Sequence, residues 1–268
     1  MAPGPMNRGK TGVLHVHSTY SRDGRDPPEK LREFALARGI GFVGLTDHAE
    51  DLSPDRFERL ADHCRAVSDD RVLILPGLEY RFAGHDGLHL LAIGLRRWIA
   101  PATPAEFARE VPAAAGFTIM AHPVLHRYRI PDEVAAAIDA IEVWNAAYNT
   151  RYLPDPRALR LLGRVRRRRP EVVGIAGLDQ HDSRNDRETR VVLFDPDAPD
   201  PLAELRAGRF YNRGRTMRFS SRGAFGPLAL AGLTVLRGCL DAANAAHERL
   251  SPLLAARAGR RGGAEPSP

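Results

Sequence analysis

Histidines and carboxylates recur at the ends of short apolar runs along this chain of 268 residues. The first run, residues 12–16, leads into His15-Val16-His17. Two histidines at i and i+2 of an extended segment project to one face, so both rings can reach a single metal ion. Later runs end in Asp47-His48, Glu79, His122 and Asp179-Gln180-His181. Imidazole and carboxylate suit Zn, Mn or Fe, and a carboxylate such as Glu79 can bridge two ions. Two or three divalent ions held close together clamp a phosphoryl group, lower the pKa of bound water towards neutrality and stabilise the leaving oxygen, so that hydrolysis needs no protein nucleophile. No Gly-x-Ser-x-Gly elbow, P-loop or Gly-x-Gly-x-x-Gly fingerprint competes for the role of active site.

The elements that must position these residues alternate along the chain. Apolar runs at residues 40–46, 72–75, 89–94, 117–120, 140–143, 172–177 and 190–194 read as strands. Between them, residues 29–38, 54–67, 104–115, 155–169 and 201–207 read as helices. This alternation predicts a parallel α/β architecture, and in a closed (β/α) barrel the strand ends converge on the face where active sites lie. The chain length suits one such domain.

The tail departs from this repeat. From residue 228 to about 249, Leu233, Leu236, Leu240 and Ala243 fall at helical spacing as one stripe, and Ser251-Pro252 is expected to restart a short helix. The expected organisation is a disordered segment 1–11, a barrel domain 12–222, a C-terminal helical extension 223–256 and a disordered tail 257–268. The helix is expected to pack on the barrel, with self-association or a membrane-surface role as the alternatives. The uncharged run 223–236 is too short to span a bilayer, so no transmembrane segment is expected.

Composition adds bounds. The formal net charge is +6, but only Lys10 and Lys30 are lysines, a skew that reflects genomic base composition more than polyanion binding. Cys64 and Cys239 lie far apart without CxxC spacing, as in a reduced cytoplasmic protein, and the N-terminus lacks the apolar core of a signal peptide.

Five ordered motifs go further: His15-Val16-His17-Ser18 with Asp23-Gly24, Thr46-Asp47-His48, Gly77-Leu78-Glu79 followed by His89, Ala121-His122-Pro123, and Gly177-Leu178-Asp179-Gln180-His181. Over residues 13–211 this series resembles the PHP (polymerase and histidinol phosphatase) family of metal-dependent phosphoesterases. The resemblance implies a distorted (β/α)7 TIM-like barrel and two or three divalent ions. By motif, His15, His17 and Asp179 would hold one ion, and Glu79 would bridge it to a second held by His89 and His122. Asp23, His48 and His181 would hold a third, and Glu79, Asp179 and His181 would be the catalytic core. Asp23 stands where some members have histidine, and Leu178 and Gln180 depart from the commoner Gly-Ser-Asp-Ala-His.

Around this core, His85 competes with His89 for one ligand role, with His89 preferred, and Asp47 is expected to orient its neighbours. Glu142, an acidic residue within an apolar strand, reads either as a support for a ligand or as a structural ion pair. Arg127, Arg129 and Asn145 are the candidates for binding the substrate, the two guanidinium groups by their fit to phosphate. The run Arg164 to Arg169 could follow a nucleic-acid backbone, but no aromatic residues interleave to stack bases, and a solvated helix end is preferred.

The expected activity is hydrolysis of a phosphate ester by metal-bound hydroxide, as in a phosphatase or a 5′–3′ exonuclease-like enzyme. Its substrate would be a nucleotide, a small phosphorylated metabolite or an oligonucleotide end. Little chain lies between Gly94 and Phe117 for a nucleic-acid-gripping insertion, which favours small substrates. The alternatives are an amide, ester or carbamate hydrolase on the same metal site, or a non-catalytic binding module.

Overall fold

Two six-stranded sheets carry the histidine-bearing segments in this computed structural model, which describes residues 11–149 and 152–261. In chain order the strands begin with β1 (Thr11–Val16), β2 (Phe42–Leu45), β3 (Asp47–His48), β4 (Leu73–Leu75), β5 (Gly77–Arg81) and β6 (His89–Ile93). They continue with β7 (Phe117–Met120), β8 (Ala140–Asn145), β9 (Val173–Gly177), β10 (Arg190–Leu193), β11 (Phe210–Arg213) and β12 (Arg218–Ser220). The helices are α1 (Pro28–Ala37), α2 (Pro54–Val67), α3 (Pro104–Glu110), α4 (Asp132–Ala135), α5 (Pro156–Arg166), α6 (Pro201–Arg206) and α7 (Pro227–Arg261). Most open on proline, whose fixed φ and missing N–H suit the first helical position, and Ser53, Thr103, Asp155 and Asp200 cap the residues that follow.

One sheet has the order β12-β11-β10-β1-β2-β4 and the other β3-β5-β6-β7-β8-β9. The pairings β1–β2–β4 and β7–β8–β9 are parallel, as alternation predicts. In contrast, β5–β6–β7 and β1–β10–β11–β12 are antiparallel. The sheets approach where Val16 bridges Gln180 and where Thr46, its N–H donated to Val16 at 2.8 Å, carries the chain from β2 into β3. Among the described residues the strands form a two-sheet mixed α/β fold, and the ladders do not by themselves make the expected (β/α)7 barrel. Apolar runs specify strands, but a strand buried on both faces reads alike whichever way its neighbour runs. Leu14, Phe42, Leu91, Ile93, Phe117 and Ile119 pack in the core beneath the strand ends.

The expected disordered segments fall at residues 1–10 and 262–268, outside the described residues, whereas Thr11 opens β1 and residues 257–261 belong to α7. Residues from 225 onward form a unit separate from the sheets. Within that unit, α7 runs unbroken through Ser251-Pro252, without the expected restart. Its apolar residues occupy every face, since leucines and alanines fill the positions between the expected stripe residues, and Leu228, Val235 and Leu236 are exposed. The stretch Pro227–Ala246, with mean hydropathy 1.2, is by length and composition long and apolar enough to cross a membrane. The uncharged run stops at Arg237, yet that residue pairs with Asp241 one turn later at 2.8 Å, and the apolar stretch continues.

Candidate metal centre

His15 sits at a register shift of β1 against β2, with φ of 62°, and Asp179, after β9, has φ of 50°. Left-handed backbone at a non-glycine residue costs about 1–3 kcal/mol and persists where the surroundings impose it. Simple alternation therefore does not bring His15 and His17 together, as the sequence suggested. The bulge re-aims His15, and the hydrogen bonds from Gln180 N–H to His15 O (3.1 Å) and from His17 N–H to Gln180 O (2.8 Å) lock β1 against the Asp179 loop.

Glu79 lies at the centre. Its Oε1 is 2.7 Å from His89 Nδ1, 3.3 Å from His122 Nε2 and 3.8 Å from His15 Nε2. Its Oε2 is 3.1 Å from His48 Nδ1 and 3.5 Å from His17 Nε2. Asp179 Oδ1 lies 3.3 Å from His15 Nε2 and 3.4 Å from His17 Nε2. At the more open rim, Asp23 Oδ2 is 3.1 Å from His48 Nε2 and 3.4 Å from His181 Nε2. The His17 and His181 rings stack with centroids 4.2 Å apart. All nine residues suggested as ligands thus meet in one place. His85 instead lies beside His126, with ring centroids 6.4 Å apart.

A buried layer holds this arrangement. Glu142 Oε1 is 2.7 Å from His15 Nδ1, while its Oε2 accepts the His122 N–H at 2.7 Å and the Asn145 side-chain amide at 2.8 Å. Asn145 has no exposed surface, so it fixes Glu142 from below. Gly177 is required beside them, because a Cβ there would lie 1.9 Å from Glu142 Oε1. Asp47 orders the preceding loop, accepting from the N–H groups of Ser18 and Ser21 at 2.8 and 3.0 Å and from both their hydroxyls at 2.8 Å.

The electrostatics follow from burial against charge. Burial favours neutral imidazole at His15, but the Glu142 and Asp179 carboxylates outweigh it and hold its pKa well above the ordinary value. Burial also opposes ionisation of Glu79, yet the close imidazoles of His122, His15, His48 and His89 keep it well below the carboxylate range. Asp179 is lowered in the same way, chiefly by the His15 charge, whereas burial dominates and lowers His17 and His89.

The donor set fits divalent ions. Three groups offer ligand atoms lying within 4.8 Å of one another: His17, Asp23, His48 and His181; His15, Glu79 and His122; and His15, His17 and Asp179. The buried atoms His15 Nε2, His17 Nε2, His48 Nδ1, Glu79 Oε1 and His89 Nδ1 have no hydrogen-bond partner. A native fold rarely leaves so many buried polar atoms unpaired, and bound cations would satisfy them.

Beside the cluster a cavity of about 350 Å³ is lined by Tyr148, Asp179, Gln180, His181 and Arg187, among others. Tyr148, whose ring lies 4.7 Å from that of His122, was not singled out from the sequence. Nor was Arg81, although it follows Glu79 by two residues on β5 and so shares its face. Its Nη2 lies 3.3 Å from His48 Nε2. Arg127 is exposed, and Arg129 lines a separate cleft with α5.

A two-sheet frame converging on a buried imidazole–carboxylate cluster defines a metal-binding α/β protein. Residues 14–146 match the family model for the PHP domain, and over these residues the chain belongs to that family. No curated protein sequence matches it. Solved structures share the fold. A two-domain protein from Bacteroides vulgatus containing a predicted PHP-like metal-dependent phosphoesterase is 18% identical, with a TM-score of 0.57 over 80% of this chain and 67% of that one. PsfC from Pseudomonas syringae is 15% identical, with a TM-score of 0.53 over 86% and 98%. A metal-dependent phosphoesterase, so described, from Bifidobacterium adolescentis is 16% identical, with a TM-score of 0.51 over 72% and 94%.

Proposed function

We propose that this protein is a metal-dependent phosphoesterase acting on a small phosphorylated substrate. The observation that carries the reading is Glu79, a buried carboxylate within 3.8 Å of five imidazoles. Divalent ions held there would polarise a phosphoryl oxygen and lower the pKa of a water molecule. The remaining roles fall to the chain itself. Arg81 supplies a half-exposed guanidinium at the His48 edge of the cluster, suited to phosphate oxygens. His181, a third exposed on the cavity wall, would pass a proton to the leaving oxygen when no ion occupies the Asp23 rim. Tyr148 and Gln180 shape the space for the leaving group, whose volume suits a small molecule better than a nucleic-acid strand.

Turnover of phosphate monoesters, phosphate diesters and carboxyl esters by the metal-loaded protein tests this reading. Preference for phosphate monoesters supports it, and exclusive turnover of carboxyl esters would replace it with a carbonyl hydrolase on the same site.

A further inference from the structure

A second cleft, of about 650 Å³, lies between the segment after β7 and the C-terminal half of α5. None of the nine clustered residues lines it, and it shares no lining residue with the cavity beside them. Its rim carries Arg129, Arg164, Arg167, Arg168 and Arg169 against Asp132, and Arg169 is also ion-paired with Glu171 beyond the lining. Asp132 neutralises little, since it is 3.7 Å from Arg168 with both side chains almost fully exposed. Arg164 donates to Tyr128 O at 3.1 Å, and Arg169 donates to Ala136 O. Arg129 and Arg167 have no side-chain partner among the described residues and remain available to a ligand. Ile130, Leu161 and Val165 add apolar lining, and Tyr128, whose ring centroid lies 5.8 Å from the Arg157 guanidinium, adds an aromatic residue.

The Tyr128 turn is built at a cost. Arg127 and Tyr128 are consecutive left-handed residues, with φ of 53° and 57°. Their backbone is held by the Tyr128 N–H donating to Pro123 O at 2.8 Å, and the phenol donates to Asp155 Oδ2 at 2.6 Å, at the cap of α5. The arginine run that reads as a solvated helix end in sequence thus acquires, from a different segment, the aromatic neighbour it lacked and a further guanidinium, that of Arg129.

We propose that this cleft binds a nucleoside diphosphate or triphosphate at a site separate from the hydrolytic centre. The apolar lining and the Tyr128 ring take the base, and paired guanidinium forks take the phosphates, which they match bidentately. The volume is that of a small-molecule site. Hydrogen bonds connect the cleft to the metal centre. Tyr128 bonds Asp155, which accepts from the Asn149 amide at 3.1 Å. Asn149 accepts from Asn145 N–H at 3.0 Å, and Asn145 bonds Glu142, the partner of His15.

Isothermal titration of the full chain with ADP, with bound metal and again after chelation, tests the assignment. Adenosine, tripolyphosphate and a single-stranded 12-mer are the comparison probes. The expected result is ADP binding that survives chelation and weakens about tenfold or more in the Arg167→Ala, Arg168→Ala double variant, whose melting temperature and metal content stay at wild-type values. Adenosine should bind far more weakly than ADP. Unchanged ADP affinity in the double variant would overturn the site. Tripolyphosphate binding as tightly as ADP would reduce it to an anion patch, and a 12-mer binding about a hundredfold tighter than ADP would make it a nucleic-acid surface. Either outcome contradicts the nucleotide assignment.

Discussion

His15 and Glu142 are joined through Nδ1 and Oε1 at 2.7 Å, both fully buried, and this contact turns the other ring nitrogen of His15 towards Glu79 and Asp179. Supporting carboxylates of this kind fix the tautomer and orientation of a ligand imidazole, and losing one typically costs 10–100-fold in metal affinity. Glu142→Gln is therefore expected to weaken metal binding by about one to two orders of magnitude while the chain stays folded. Gly177→Ala should produce the same defect, since its Cβ would displace Glu142. Competition titration with a chelator measures both, and wild-type affinity in either variant would refute the supporting role.

Glu79 and Cys64 give opposite predictions although both are buried. Glu79→Ala removes a carboxylate shared by five imidazoles, and phosphate release should fall by about three orders of magnitude or more, a barrier increase of several kcal/mol. Cys64, on α2, has its thiol pKa pushed up by burial, which keeps it protonated and inert. Cys64→Ala should cost about 1 kcal/mol of stability and leave turnover within about twofold. Initial rates on protein of measured metal content separate the two.

Arg81 is the guanidinium nearest the cluster, so Arg81→Ala should raise KM for a phosphorylated substrate by about 10–100-fold, the worth of one charge-assisted hydrogen bond. Steady-state kinetics of Arg127→Ala and Arg129→Ala beside it test the sequence-based candidates. An unchanged KM in both removes them from the substrate's phosphate, and an unchanged KM in Arg81→Ala removes Arg81.

These contrasts show what the sequence could and could not reveal. Most of the clustered residues were legible because they end apolar runs in residue types with metal chemistry, and Glu142 stood out as a charge inside a strand. Arg81 was equally accessible, since strand periodicity places it on the face of Glu79, but its charge reads as ordinary solvated surface. The path through Asn149 and Asp155 could not be read, because it joins segments through side-chain contacts that carry no periodicity. Pairing direction was hidden as well. Between β10 and β11 the chain passes through α6, so alternation predicts a parallel crossover where the strands pair antiparallel, and the Asp86-Gly87 turn that returns β5 as β6 is the one local sign of a hairpin.

Asp26 supplies a pH-dependent prediction away from the metal. Its Oδ2 accepts the Ser183 N–H at 2.6 Å and its Oδ1 lies 2.8 Å from Lys30 Nζ, tying the loop after β1 to the one after β9. Burial opposes its charge, but these partners outweigh burial and lower its pKa in the folded state. A lowered folded pKa contributes stability above the unfolded value of about 3.9, and that contribution is lost as pH falls through the folded value. Asp26→Asn should cost about 1–3 kcal/mol at pH 7, and its deficit relative to wild type should shrink below about pH 4. Urea unfolding at pH 7 and at pH 3.5 checks the sign, and a deficit independent of pH would contradict it.

The most direct test of the metal-dependent account is phosphate release from a monoester panel by the full chain, measured as purified, after chelation and after reconstitution with Zn, Mn or Fe, with bound metal quantified each time. The account predicts two or three ions per chain, loss of release on chelation and recovery on reconstitution. Stoichiometric metal with no release from any phosphate ester, or release that survives complete chelation, would contradict it.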